Sequence, residues 1–369
     1  LLSNLIEILR IGFESMGWQN YVMIVVGGVL VFLGIRYKME PLLLVPIGFS
    51  AILANFPAAS QITEFMHLIY VYLIRTEVIP ILIFLGLGAM TDFEPLLADP
   101  KTFLLGAAAQ IGVYVAMGLA LVLGFGLHEA AVIGIIGGAD GPTTIYLSTQ
   151  LAPEILAAVT VAAYSYMSLV PIIQPPIIRA MVPKRMRRVE MKPLRKVSRR
   201  EKLLFPVAAT IVTGLLVPYA LPLIGMLMFG NILRESGVTE RLAKAASNEI
   251  INIATVLLGL GIGAMMTGDA FLRLETLKIL GLGVVAFASA TAGGVLLGMA
   301  MYYITRGKVN PLIGAAGVSA VPMSARVVNR EGLRENPRNF LLMHAMGPNV
   351  AGVIGTAVAA GIFIALLAP

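Results

Sequence analysis

The chain contains no cysteine, so it can hold neither a disulfide framework nor a thiolate metal site. Its three histidines, His67, His128 and His344, lie far apart, which argues against a zinc centre. Charge is also scarce. Asp, Glu, Lys and Arg make up 13% of the 369 residues, against about 25% in a soluble domain. What takes the place of charge is apolar, at 58% of the residues. Apolar runs near or above ~18 residues recur along the chain, the mark of membrane-crossing helices. A transmembrane β-barrel would show short alternating segments instead. No cleavable signal peptide is evident in the opening "LLSNLIEILR", and the missing Met suggests a trimmed start.

The net charge of +7 has a local source. The stretch from Pro183 to Lys202, "PKRMRRVEMKPLRKVSRREK", carries ten Lys/Arg and two Glu. Such a run can bind nucleic acid or anionic lipid. In a membrane protein it reads first as a cytoplasmic loop obeying the positive-inside rule, and no other feature supports nucleic-acid binding.

The chain also repeats itself across this loop. "LGLGAM" at Leu85–Met90 returns as "LGIGAM" at Leu260–Met265, and Gly106 meets Gly281 at the same offset. "VPIGFSAILAN", ending at Asn55, resembles "LPLIGMLMFGN", ending at Asn231. Expected spans pair as Trp18–Ile35 with Leu203–Val217, and Pro41–Phe56 with the stretch before Arg234. The remaining pairs are Glu77–Met90 with Ile250–Met266, Lys101–Phe125 with Thr276–Ile304, and Pro153–Met181 with Asn339–Leu367. Basic residues close the first span (Arg36, Lys38) and open its counterpart, which predicts that the halves are inverted. Between the fourth and last span of each half lies a Gly/Pro-broken segment, 128–150 and 310–330. If each dips in and returns to its own side, every half has five crossings, and an odd number turns the second half upside down. The expectation is therefore an all-α polytopic membrane protein with elevator-like core and scaffold. Its parts are an N-terminal amphipathic segment 1–17, a first repeat 18–182, the basic loop 183–202 and a second, inverted repeat 203–369.

Broken helices at matching positions of inverted repeats point to a transport site near the midplane. A Gly/Pro break frees backbone carbonyls that hydrocarbon cannot satisfy, so they must line a cavity or meet an ion. The first break, "GGADGPT", holds Asp140. A carboxylate at helix centre costs about 2.5–3.5 kcal/mol on insertion scales, and a bound cation offsets that cost. At a surface loop Asp-Gly-Pro is ordinary turn chemistry, but at membrane depth the ligand reading prevails. A hard cation such as sodium takes oxygen ligands. The first break offers Asp140, Thr143 and Thr144, and the second offers Asn310, Ser319 and Ser324. The threonines and serines read equally as small packing residues. Asn349, beside a Gly-Pro in the last span, stands above a packing amide. Tyr166 sits far enough from either end of its span to favour a buried polar role over an interfacial one.

Four strings, "GGADGPT", "YSYMSLVPIIQPP", "NPLIGAAGVSAVPMSARV" and "NFLLMHAMGPNVAGVIG", resemble the β subunit of the sodium-translocating biotin-dependent decarboxylases, which serve oxaloacetate, methylmalonyl-CoA, glutaconyl-CoA and malonate decarboxylase complexes. The resemblance spans nearly the whole chain. It implies a membrane subunit of a bacterial or archaeal inner membrane that decarboxylates carboxybiotin presented by a partner, consumes a proton and exports sodium. It implies roles for Asp140 as sodium ligand and proton-exchange carboxylate, Asn310 and Ser319 as sodium-site or proton-path residues, and Gly314 for close backbone approach. By the same resemblance Tyr166 and Asn349 complete the sodium sites, and Arg326 meets the carboxylate of carboxybiotin. A guanidinium can grip such a group by two hydrogen bonds. Thr143 joins the metal ligands from the reading of the first break alone.

The partners implied are a biotin carrier, a carboxyltransferase subunit and a small membrane γ-type subunit, with lipid around the chain, a homo-oligomer expected and nucleic acid not. No Ala-Met-Lys-Met biotin-attachment setting occurs in the chain, so the first half-reaction is expected elsewhere. The competing reading is a stand-alone secondary transporter, a sodium/proton or sodium/organic-anion carrier without chemistry. A structural scaffold would leave the two matched breaks without a reason.

Overall fold

The computed structural model describes residues 14–57 and 60–368, and every element among them is helical. The amphipathic segment expected over 1–17 lies outside the described residues except for its last four. The principal helices are α1 (Trp18–Tyr37), α2 (Pro41–Ala54), α3 (Ser60–Ile69) and α4 (Val78–Met90). Next come α5 (Pro100–Val122), α6 (Leu127–Ile135), α7 (Gly141–Leu151), α8 (Leu156–Ser168) and α9 (Val170–Met181). Beyond the basic loop lie α10 (Arg199–Leu216), α11 (Leu221–Glu235), α12 (Glu240–Ala264), α13 (Leu274–Ile304), α14 (Met323–Glu335) and α15 (Leu342–Leu367).

Five of these helices are long and apolar enough to cross a bilayer, and up to seven spans result if the bent pairs α3–α4 and α8–α9 each count as one. Val122, Leu215 and Ile304 are more than three-quarters exposed. An outward belt of large apolar side chains needs a hydrocarbon neighbour. The chain is a multi-pass membrane protein.

The helices pack in two groups. In one, α1 lies on α2, α2 on α12, and α4 on α11. In the other, α13 packs on α5, α8, α9 and the 3-10 turn Pro311–Gly317, while α15 packs on α5 and the same turn. Two hydrogen bonds tie the first group reciprocally. The Asn55 side-chain amide donates to the Met266 carbonyl at 2.7 Å, and the Asn231 amide donates to the Thr91 carbonyl at 3.2 Å. Asn55 and Asn231, like Thr91 and Met266, are partners in the sequence repeat. Each half therefore caps a helix end of the other.

Hydrogen bonds also sort the helix ends. At the basic end, Arg234 donates to the Met90 carbonyl (2.9 Å), Arg195 to Leu97 (2.8 Å) and Arg199 to Ser236 (2.8 Å), and Lys202 pairs with Glu94. Ser198 and Glu201 form a reciprocal cap that ends the loop and starts α10. At the other end, His128 meets the Leu367 carbonyl (2.9 Å), Lys278 donates to Leu123 (3.3 Å), Gln150 bonds Glu77, and Tyr146 donates to Tyr219 (3.4 Å). The broken segment α6–α7 thus starts and finishes at the non-basic end. The second broken segment does the opposite. Its first residue, Asn310, donates to the carbonyls of Arg187 (3.0 Å) and Val189 (2.8 Å), and its last turn pairs Glu335 with Arg187 (2.8 Å) and Glu331 with Arg179 (2.6 Å).

Candidate functional site

The two breaks meet in the interior. In the first, α6 runs through a 3-10 turn, Ile136–Gly138, before Ala139 takes left-handed backbone at φ 56°. Asp140 follows in extended backbone and caps α7, its Oδ1 accepting from the Thr143 N–H at 3.1 Å. The Thr144 hydroxyl donates to the Asp140 carbonyl at 2.7 Å. Gly141 must be glycine, because a Cβ there would stand 2.1 Å from Cζ of Tyr164. In the second break, the 3-10 turn Pro311–Gly317 gives way to extended backbone at Val318 before α14 begins at Met323.

The Ser319 N–H donates to the Gly138 carbonyl at 2.8 Å, joining one break to the other. The Ser319 hydroxyl lies 3.0 Å from that of Thr356 on α15. Asn349, also on α15, donates to the Val318 carbonyl at 2.6 Å. Asp140 is 4% exposed and Asn349 is fully buried. Two oxygens in this region, Thr143 Oγ1 and Asn349 Oδ1, are buried without a hydrogen-bond partner. An unsatisfied buried oxygen costs about 1–3 kcal/mol, which a cation at that point would remove. Among the described residues no three His, Cys, Asp or Glu side chains come together. The donors here are one carboxylate with hydroxyl, amide and carbonyl oxygens, a set for a hard cation of low charge.

A cavity of about 240 Å³ opens beside the crossing, with Asp140, Ser319 and Tyr164 on its walls. Its other walls come from the opposite helix group, including Leu43, Ile83, Leu227 and Thr255. The cavity therefore lies between the two groups. It reaches Met90 and Thr91, where α4 meets the basic end. Glu40, the residue before α2, also lines it, and burial pushes its carboxyl above the usual carboxylate range.

Of the residues singled out in the sequence, Asp140 and Ser319 share this cavity, and Thr143 and Asn349 adjoin them through hydrogen bonds. Five others stand elsewhere. Asn310 caps the second hairpin, its Oδ1 accepting from the Leu312 N–H at 3.0 Å while its amide holds the basic loop. Gly314 lies against α13, where a Cβ would come 2.0 Å from the Gly294 carbonyl oxygen. Tyr166 bonds the Leu280 carbonyl on α13. Arg326 is exposed on α14 and no described residue pairs with it. Ser324 is taken up by Gln174 and the Ala315 carbonyl. Sequence reasoning missed Tyr164, Thr356 and Glu40. Tyr164 was within reach, since it lies in the same "YSY" as Tyr166, turned to the other side of the helix.

Comparison with known proteins covers nearly the whole chain. A profile for the Na+-transporting oxaloacetate decarboxylase beta subunit matches residues 19–367. The chain is 57% identical over 356 residues to methylmalonyl-CoA decarboxylase subunit beta of Veillonella parvula, covering 96% of this chain and 95% of that one. It is 55% identical over 358 residues to glutaconyl-CoA decarboxylase subunit beta of Acidaminococcus fermentans, covering 96% and 95%. It is 47% identical over 416 residues to oxaloacetate decarboxylase beta chain 2 of Salmonella typhi, covering 96% of each.

Proposed function

Because the chain belongs to the family of beta subunits of sodium-transporting decarboxylases, we propose that it releases CO2 from a carboxyl group delivered on biotin by a partner subunit and couples that step to sodium export. The carboxylated ureido nitrogen loses its carboxyl group as CO2 and takes up one proton, leaving biotin with an N–H. The proton comes from Asp140, which a sodium ion then neutralises in turn. Moving one charge against 100 mV takes about 2.3 kcal/mol, and the escape of CO2 makes the step directional.

The observation that carries this reading is the meeting of the two breaks, with a buried carboxylate in a cavity between two helix groups. Sodium is the cargo. We assign its ligands to Asp140 and Ser319, which line the cavity, and to Asn349 and Thr143, whose unpartnered oxygens suit it. The helix ends that point into this crossing add partial charges of both signs. Asn310, Gly314 and Tyr166 hold the second hairpin and α13 in register around the site. Arg326, an unpaired guanidinium on α14, is the group to receive the carboxylate of carboxybiotin by two hydrogen bonds.

The opposite placement of the two broken segments and the reciprocal Asn55 and Asn231 bonds support two inverted repeats. In this reading residues 18–182 and 203–369 are the repeats, and the basic loop 183–202 lies in the cytoplasm of a bacterial or archaeal cell. The group holding Asp140 slides past the other as a rigid body. The carboxyltransferase, the biotin carrier and a small membrane subunit are the partners. The carrier-only alternative has no support in the relatives, each of which is named as a decarboxylase subunit.

The test is decarboxylation of free carboxybiotin by the purified protein with and without sodium. Turnover should require sodium and vanish in Asp140→Asn. Sodium-independent turnover by the unaltered protein would overturn the coupling.

A further inference from the structure

The cavity beside Asp140 contains a second carboxylate that the mechanism above does not use. Glu40 occupies the turn between α1 and α2, in left-handed backbone at φ 36° and ψ 58°. A non-glycine residue there bears backbone strain. The side chain gives nothing back to the fold. It makes no capping hydrogen bond to α2. The nearby cations Arg36 and Lys38 are exposed, and no described residue forms an ion pair with Glu40. Its backbone carbonyl does the structural work instead, accepting from the N–H groups of Leu43 and Leu44 at 2.9 Å each. A carboxylate that is half-buried against an apolar cavity and has no partner among the described residues suits a cationic ligand.

Its position says which ligand. Glu40 lines the cavity with Leu42, Met90 and Thr91, and the Met90 carbonyl accepts from Arg234 at the basic end. Asp140 lines the same cavity at the crossing of the breaks. The ring of Tyr164, which also faces the cavity, packs on Gly141, the residue after Asp140. Nearly all the remaining wall is apolar. Low-dielectric walls focus the field of the few charges inside and raise the local concentration of the opposite sign. Two carboxylates along one apolar cavity therefore draw in a cation.

We propose that Glu40 is an outer binding site for a monovalent hard cation, sodium in the reading above, which captures the ion at the basic end and passes it across the Tyr164 phenol to Asp140. Glu40 is thus a specificity and capture residue on the entry path. The inference rests on the proposed function for the identity of the cation and the direction of its movement.

The experiment compares Glu40→Gln and Glu40→Asp with the unaltered protein, reading two quantities against sodium concentration. One is turnover of free carboxybiotin. The other is the sodium-dependent rise in melting temperature, which needs no chemistry. Glu40→Gln should raise the half-saturating sodium concentration about tenfold, the lower end of what focusing supplies. Turnover should recover as sodium is raised. Glu40→Asp, which keeps the charge, should bring the concentration dependence most of the way back. An unchanged sodium dependence in Glu40→Gln overturns the proposal, and so does an equal loss in Glu40→Asp, which would mark a structural residue. If the unaltered protein turns over without sodium, the proposed function fails, and the melting-temperature titration still decides for or against a cation at Glu40.

Discussion

Replacing Asp140 with asparagine separates charge from shape. Asparagine caps helices as well as aspartate does, and its carbonyl oxygen can accept from the Thr143 N–H in the place of Oδ1. The α7 start should therefore survive. What changes is the cost of a buried charge, about 2.5–3.5 kcal/mol for a carboxylate at helix centre on insertion scales. Without sodium the variant should be at least as stable as the unaltered protein. With sodium the order should reverse. An ion present at about a hundred times its dissociation constant adds about 2.7 kcal/mol to the folded state that binds it, and the variant lacks the charge that would hold it. The assay is thermal unfolding of detergent-solubilised protein by far-ultraviolet circular dichroism, in sodium chloride and in choline chloride at equal ionic strength. The unaltered protein should melt higher in sodium, and Asp140→Asn should melt at one temperature in both. A sodium-dependent rise that persists in Asp140→Asn refutes the assignment. So would a variant that melts far below the unaltered protein in choline, because then the carboxylate would be holding the fold.

Other expectations follow from neighbouring contacts. Gly141→Ala places a methyl group 2.1 Å from the Tyr164 ring and should cost about 1–3 kcal/mol or more by overpacking, whereas Gly118→Ala, with open space around it, should leave the melting temperature in place. Arg187→Met leaves Glu335 half-buried without its partner at 2.8 Å, so unfolding should become about 3–5 kcal/mol easier, read as a lower melting temperature. Asn310→Ala removes a cap and two bonds to the basic loop; stability should fall by about 0.5–2 kcal/mol from the cap alone, with the half-saturating sodium concentration unchanged. Arg326→Ala should raise KM for carboxybiotin while the sodium-dependent melting shift stays as it was.

The helical, membrane-embedded character of the chain was legible because lipid admits few ways to satisfy a backbone, and the basic loop was legible as a run of like charge. Asp140 stood out for the same reason, a lone carboxylate in an apolar stretch. The harder distinctions concern faces and distant partners. Tyr164 and Tyr166 are two residues apart, about 200° around a helix, and nothing in "YSYMS" says which one turns toward Gly141 and which toward α13. Asn310 reads as a ligand until the carbonyls of Arg187 and Val189, more than a hundred residues earlier, are seen to occupy its amide. Glu40 reads as a loop charge because the cavity it lines is walled by α4, α8 and α12, none of them near it in the sequence.

The exchange between Asn55 and Asn231 has a consequence for how such a chain could have arisen and how it could be cut. Each asparagine fills a vacancy at Met266 or Thr91 that its own half cannot reach. A single unit carrying one such asparagine would have needed a second copy to complete those contacts. Severed in the basic loop, the two fragments should accumulate only when made together in one cell.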